Sequence, residues 1–132
     1  MFNLDNLALS DTTTLELKHP VSEEILYGDK EKTLPVSIVL FGTGSKQYRN
    51  AITAMQNRAL KRGKKQATAE QMRDEGIELL VACSEKAINF SYGGKPVGDE
   101  AAFRSLYGDA KFGWLKDQVD AALGDTANFL QA

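Results

Sequence analysis

The sequence predicts an α+β fold in which an N-terminal antiparallel β-hairpin is followed by a bundle of three to four α-helices. Two runs rich in β-favouring residues come first, and several segments with apolar residues at helical spacing follow them. Because strands and helices do not alternate, the pattern favours an α+β domain over repeated βαβ units. The chain has 132 residues, 42% of them hydrophobic, which suits one domain with a modest core.

The hairpin is predicted from the runs Thr12–Lys18 and Leu34–Phe41. The first run alternates Leu15 and Leu17 with polar neighbours, which is typical of a half-buried strand. The second run is mostly apolar, and its Pro35 lies near the start, where a strand tolerates a missing N–H group. We therefore expect the two strands to pair as an antiparallel hairpin with a long connection.

These runs also determine the expected domain organisation. Residues 1–12 are predicted to form a flexible arm, and residues 13–132 a single domain. Within that domain the β part is expected over 13–41 and the helical part over 45–131.

The first predicted helix runs from about Lys46 to Arg62. Ser45 is a suitable N-cap, and Gly63 lies where a C-terminal glycine cap is expected. The apolar face of this helix is predicted to consist of Tyr48, Ile52, Met55 and Ala59.

A second helix is predicted to open with the capping box Thr68-Ala-Glu-Gln71 and to end near Asn89. Gly76 inside it should weaken it by roughly 1 kcal/mol relative to alanine. Its predicted apolar face consists of Met72, Leu79 or Leu80, Cys83 and Ala87.

Two further helices are predicted near the C terminus. Asp99 is a candidate cap for a short helix that ends near Leu106, and Asp109 is a candidate cap for the terminal helix. The terminal helix is expected to be anchored to the fold by Trp114, Leu115 and Val119.

Few residues of this chain are of the types that commonly catalyse reactions or bind metals. The sequence therefore predicts a protein that is not an enzyme and holds no metal or cofactor. His19 is the only histidine and has no converging partners in the sequence. Cys83 is the only cysteine, and it lies on an apolar helix face, as a buried small hydrophobe would. The stretch Gly42-Thr-Gly-Ser45 lacks the spacing of a phosphate-binding loop and is interpreted as a turn between a strand and a helix.

The expected compartment is a cytoplasm, with no membrane partner. No apolar run approaches the roughly 20 residues that a bilayer-spanning helix needs. The start of the sequence also lacks the basic and apolar regions of a signal peptide.

The net charge of the chain is −2, but the basic and acidic side chains are unevenly distributed along the sequence. Residues 46–66 hold seven basic and no acidic side chains, while the segments on both sides are acidic. We define the cationic block as the five basic residues Arg58, Lys61, Arg62, Lys64 and Lys65. Three interpretations stay open: a solvated helix end, a contact with an acidic partner or a second copy, and a phosphate-binding surface for nucleic acid. The acidity of the remaining chain and the lack of a recognition motif disfavour nucleic acid.

Phe129 and Leu130 form a second candidate interaction site at the end of the chain. They follow Gly124-Asp125, which can interrupt the terminal helix. Burial in this chain's own core and contact with a partner both remain open for them. We expect them to lie at a partner-facing edge that could also carry a C-terminal extension.

Several of these features occur in the same order in a known family. The relevant stretches are Ser45-Lys-Gln-Tyr-Arg49, the basic helix end Arg58–Lys65, the helix core Glu78–Cys83, the turn Gly93–Pro96, the helix containing Leu106-Tyr107 and the ending Trp114…Val119…Asn128-Phe-Leu130. In this order they resemble the tail assembly chaperones of long-tailed, siphovirus-type bacteriophages, over about Leu15 to Leu130. Many members of that family have a tryptophan near the end of the second helix, where this chain offers Phe90.

The resemblance implies a non-enzymatic chaperone that keeps the tape measure protein soluble and helps to recruit tail tube protein subunits. It also implies action in the host bacterial cytoplasm, absence from the mature virion and, in many members, a longer form made by programmed frameshift. The charge segregation adds the expectation of a homo-oligomer. The alternative is a small cytoplasmic regulatory or nucleic-acid-binding protein that uses the basic segment 58–65.

Overall fold

A three-stranded antiparallel sheet and four α-helices make up most of the chain, which confirms the predicted α+β class. The computed structural model describes residues 1–130. The elements are the strands β1 (Thr12–Glu16) and β2 (Ser37–Phe41), the helices α1 (Lys46–Arg62) and α2 (Ala69–Cys83), the strands β3 (Ser84–Ile88), β4 (Ser91–Tyr92) and β5 (Lys95–Pro96), and the helices α3 (Glu100–Gly108) and α4 (Gly113–Gly124).

The predicted hairpin is present, and β2 is the central strand of the sheet order β1-β2-β3. Thr12 pairs with Phe41 at one end of the β1–β2 ladder, and Glu16 pairs with Ser37 at the other. The long connection between these strands is held by two isolated bridges, Lys18 to Ile25 and Tyr27 to Pro35. A separate small hairpin, β4–β5, turns through two glycines with positive φ, Gly93 and Gly94.

The predicted end of the second helix near Asn89 is wrong. The helix stops at Cys83, and the next five residues form β3, which pairs antiparallel with β2. The Ser84 hydroxyl donates to the Leu80 carbonyl at 2.7 Å and satisfies an acceptor at the helix end. Ala87, expected on a helix face, is therefore a strand residue paired with Ile38.

The core lies between the sheet and the helices α2, α3 and α4. Ile38 and Leu40 of β2 are fully buried, as are Cys83 of α2 and Val119 of α4. The buried face of α2 consists of Ile77, Leu80, Val81 and Cys83. Met72, predicted to lie on that face, is instead 63% exposed.

Helix α1 has the predicted bounds but contributes no buried residue. Three members of its predicted apolar face, Tyr48, Ile52 and Met55, are half-buried, and Ala59 is exposed. Among the main elements, its most extensive contact is with α2. It therefore forms an outer layer, while α2, α3 and α4 supply the helical core.

The N-terminal twelve residues are not all separate from the domain. Leu4–Leu7 form an exposed 3-10 turn, but Leu9 pairs with Leu130. The Ser10 N–H also donates to the Phe129 carbonyl at 2.6 Å. The end of the predicted arm is thus joined to the C-terminal residues.

Candidate protein-interaction surfaces

The cationic block lies at the tip of the α1–α2 helical hairpin. Helix α1 begins where the Ser45 hydroxyl accepts the Tyr48 N–H at 3.1 Å, and it ends at Gly63 with φ of 65°. Helix α2 begins with the predicted capping box, since Thr68 and Gln71 exchange side-chain and backbone hydrogen bonds. Local capping at both helices thus fixes the place of the turn that carries the block.

Both arginines of the block lie near acidic groups of α2. Arg62 Nη1 lies 3.0 Å from Glu75 Oε1, and both side chains are only about one-fifth exposed, at 22% and 19%. Arg58 lines the same inter-helix cleft as Glu75 and Glu78. Arg62 therefore helps to join the two helices through an ion pair, and Arg58 adds positive charge near Glu78.

Glu78 also connects the hairpin to the rest of the fold. Arg104 of α3 binds it through two hydrogen bonds, from Nε at 2.5 Å and from Nη2 at 3.0 Å. The hydrogen bond from Arg104, together with the positive charges of Arg104 and Arg58, lowers the pKa of Glu78. The carboxylate thus stays ionised and links α2 to α3.

The three lysines of the block have a different environment. Lys61, Lys64 and Lys65 are exposed, and none of the ion pairs among residues 1–130 includes them. Leu60 beside them is 78% exposed. The structure therefore places the five predicted residues in different surroundings: Arg62 is half-buried in an ion pair, Arg58 is exposed beside carboxylates of α2, and the three lysines surround an exposed leucine.

The placement predicted for Phe129 at a partner-facing edge is wrong. Its side chain is 1% exposed and belongs to the core. The ring packs directly on Gly42, where even a Cβ atom would overlap it. The Phe129 ring can approach the backbone this closely because residue 42, which directly follows β2, is a glycine and has no side chain.

Leu130 is 40% exposed, and its backbone pairs with Leu9. Whether its side chain contacts a partner stays a prediction. The two C-terminal residues 131 and 132 lie outside the described part of the chain.

The predicted anchoring of the terminal helix holds for Leu115 and Val119, which are buried, but not fully for Trp114. Trp114 is half-buried, with its ring 6.4 Å from that of Phe112. A polar clamp supplements the apolar contacts: the Gln118 side chain accepts the Lys18 N–H at 2.9 Å and donates to the Lys18 carbonyl at 2.8 Å. Helix α4 is thus fixed to the end of β1 by both apolar and polar contacts.

Sequence reasoning missed an apolar depression beside Trp114. We call it the aromatic groove, with a volume of about 280 Å³ and a rim formed by Tyr27, Phe90, Tyr92, Phe112 and Trp114. Five of the eleven aromatic residues of the chain gather there. The only signal in the sequence was the density of aromatic residues between 90 and 114, and Tyr27 joins them through tertiary structure alone.

The groups considered for chemistry have structural roles. Burial raises the pKa of the Cys83 thiol to about 11, so little thiolate exists at neutral pH. His19 lies in a turn, where its Nδ1 accepts the N–H groups of Val21 and Ser22 at 3.1 and 3.2 Å. Within residues 1–130, no group of three or more His, Cys, Asp or Glu side chains is arranged to hold a metal ion. No helix in that range is long and apolar enough to cross a membrane.

Comparison with protein-family models, with curated proteins and with solved structures gives no match to this chain.

Proposed function

We propose that this chain is a non-enzymatic phage tail assembly chaperone, which keeps a tape measure protein soluble and helps to recruit tail tube subunits. The motif order between Leu15 and Leu130 suggests the family. The observation that carries the proposal is helix α1, a 17-residue helix without a buried residue. A helix of this kind offers a long surface to another protein without disturbing the core.

The tip of the α1–α2 hairpin is the proposed contact surface. Lys61, Lys64 and Lys65 provide positive charge, and Leu60 provides an apolar side chain among them. This combination suits an amphipathic helix that exposes both apolar and acidic residues, and it permits reversible binding. Reversibility matters because the chaperone has to be displaced when tube subunits assemble.

The same surface supports nucleic-acid binding poorly. Arg62 is paired with Glu75, and Arg58 lies in the same cleft as Glu75 and Glu78, which reduces the positive charge available to phosphates. Helix α2 also places Asp74 and Glu75 beside the block. Submicromolar binding of DNA or RNA at physiological salt would favour that alternative instead.

Co-expression with the tape measure protein of the same genome tests the proposal. The wild-type chain should raise the soluble fraction of the tape measure protein and co-purify with it. The triple charge reversal K61E/K64E/K65E should lose both effects, because it repels an acidic partner.

A matched control reverses three exposed lysines on other surfaces, K30E/K32E/K95E, and should behave as wild type. An equally insoluble tape measure protein with and without the wild-type chain would contradict the chaperone role. A triple reversal that works as well as wild type would contradict the hairpin tip as the contact surface.

A further inference from the structure

Strand β1 is an edge strand, and half of its backbone groups point away from β2. Asp11 accepts and Leu17 donates a backbone hydrogen bond, each at 2.8 Å, with the residues that flank β2. Backbone groups of successive strand residues point to opposite sides in an antiparallel ladder. The N–H and C=O groups of Thr12, Thr14 and Glu16 therefore point to the outer side.

The outer side of β1 is hydrogen-bonded at its two ends. At one end the Ser10 N–H donates to the Phe129 carbonyl, and at the other Gln118 bonds both backbone groups of Lys18. Within residues 1–130, no hydrogen bond reaches the outward groups between these two ends. Such a row of unpaired donors and acceptors is a template for another extended chain.

The two edge strands of the sheet differ in how they are protected. Strand β3 carries the exposed neighbours Glu85 and Lys86, and charged side chains on an edge discourage the addition of a strand. Strand β1 consists of three threonines, one leucine and a terminal glutamate, and threonine favours extended structure. Strand β1 is therefore the edge that is better suited to accept a further strand.

A cleft of about 430 Å³ lies between this edge and helix α4, and we call it the edge cleft. Leu15 and Glu16 line it from β1, while Trp114, Asp117 and Ala121 line it from α4. Its volume falls within the roughly 300–1,000 Å³ of typical binding sites. Addition of an extended peptide to an exposed sheet edge is a general mode of recognition, in which main-chain hydrogen bonds provide affinity and neighbouring pockets provide specificity.

The charges around the edge cleft indicate which peptide it suits. Its lining contains four carboxylates, one lysine and one histidine: Glu16, Glu23, Asp117, Asp125, Lys18 and His19. The half-buried Trp114 offers an aromatic ring to the stem or the charged end of a basic side chain. The lining therefore complements a segment that carries lysine or arginine.

We propose that the edge cleft binds an extended basic segment of a partner protein, which adds to β1 as a further strand of the sheet. The segment hydrogen-bonds with the outward backbone groups of Thr12, Thr14 and Glu16, and its basic side chains face the carboxylates of the cleft. The main cationic surface of this chain itself is a helix end and the turn after it, which do not offer an extended strand. The inference does not depend on the proposed function.

A titration with synthetic peptides tests the backbone pairing. The probe is a short peptide, blocked at both ends, in which lysine alternates with valine, and its binding is followed by the emission of Trp114, the only tryptophan. Two further peptides carry N-methyl groups on all the lysine nitrogens or on all the valine nitrogens. Because only one set of N–H groups faces β1, one isomer should bind like the parent and the other at least about tenfold more weakly. Equal affinities of the two isomers, or no binding of the parent, would overturn the proposal.

Amide hydrogen exchange of the full chain locates the added strand. On addition of the parent peptide, the amides of Thr14 and Glu16 should exchange at least about tenfold more slowly, since they gain acceptors. The amides of Thr13 and Leu15 already face β2 and should change little. Peptide binding without protection of Thr14 and Glu16 would show charge attraction alone and refute strand addition. Protection that rises with concentration of the chain without peptide would place a second copy in the cleft and overturn the assigned partner.

Variants of the cleft separate backbone from charge. Thr14→Pro removes an outward N–H, which an edge strand tolerates, so the chain should fold but bind the parent peptide at least about tenfold more weakly than Thr14→Ala, which keeps that N–H. E16Q/D117N should also bind the peptide more weakly than wild type, whereas the control E31Q/E85Q, on other exposed surfaces, should match wild type. A folded Thr14→Pro chain that binds as tightly as Thr14→Ala would contradict the pairing.

Discussion

Helix α1 and the C-terminal segment 113–130 have similar apolar patterns in the sequence, yet the fold uses them in opposite ways. Helix α1 lies on the outside and buries no residue, whereas the C-terminal segment places Leu115, Val119 and Phe129 in the core. The difference arises from what each segment packs against. Helix α1 lies mainly against α2, while the C-terminal segment lies against the sheet and α3. Helical periodicity shows that a face exists, but tertiary neighbours decide how deeply that face is buried.

The largest expected effect comes from the buried end of the chain. Phe129→Ala should lower the free energy of unfolding by about 3–5 kcal/mol, because it leaves a cavity beside Gly42 in the core. Ile52→Ala on the half-buried face of α1 should cost clearly less. Chemical denaturation of both variants measures the difference. Equal losses would mean that the two regions are buried alike.

The contact between Gly42 and Phe129 gives a second test of the same region. Gly42→Ala should cost about 1–3 kcal/mol, since the new methyl group overlaps the Phe129 ring. Gly44→Ala is the matched control, because its methyl group would lie 3.6 Å from Leu9 at ordinary contact distance.

A double-mutant cycle identifies the cause of that loss. In the Phe129→Ala background, Gly42→Ala should cost much less than in wild type, because the overlapping ring is gone. Additive losses would show that the damage at position 42 has another origin.

The polar clamp between α4 and β1 should have an intermediate effect. Gln118→Ala removes two hydrogen bonds to the Lys18 backbone and should cost about 1–2 kcal/mol. Gln56→Ala on the exposed face of α1 removes the same side chain type and should be within about 0.5 kcal/mol of wild type. Thermal melting compares the two, and an equally small change at Gln118 would show that the clamp does not hold the helix.

The smallest expected effect concerns the cationic block itself. Arg62→Gln should cost up to about 1 kcal/mol through its contact with Glu75, and less at high salt. Lys64→Gln should leave stability unchanged, since that side chain is exposed. Melting at low and high salt separates the two residues, and a larger loss for Lys64 would contradict the division of the block.

Local signals account for the parts of the fold that the sequence predicts well. Helix α1 has the expected bounds because Ser45 and Gly63 act through neighbouring backbone groups. The end of α2 was not predictable in this way, because β3 forms in part by pairing with β2, nearly fifty residues earlier. Phe129 was misplaced for a similar reason: its burial depends on a glycine far away in the sequence.

For the candidate surfaces too, local features were predictable from the sequence, and features that need residues far apart in the chain were not. The positive charge at the tip of the hairpin was evident from composition, whereas the carboxylates near Arg58 and Arg62 belong to another helix. The aromatic groove was not predictable, because its rim combines Tyr27 with residues from the second half of the chain.

The hydrogen bonds between Lys18 and Gln118 join groups that are 100 residues apart in the chain. During synthesis at roughly 5–20 residues per second, β1 therefore leaves the ribosome roughly 5–20 seconds before its partner in α4 does. The α1–α2 hairpin, built from near neighbours, can form within that interval. In the nascent chain, the α1–α2 hairpin can therefore be present before α4 has been synthesised. At that stage the Lys18 backbone, just after β1, still lacks its hydrogen bonds to Gln118.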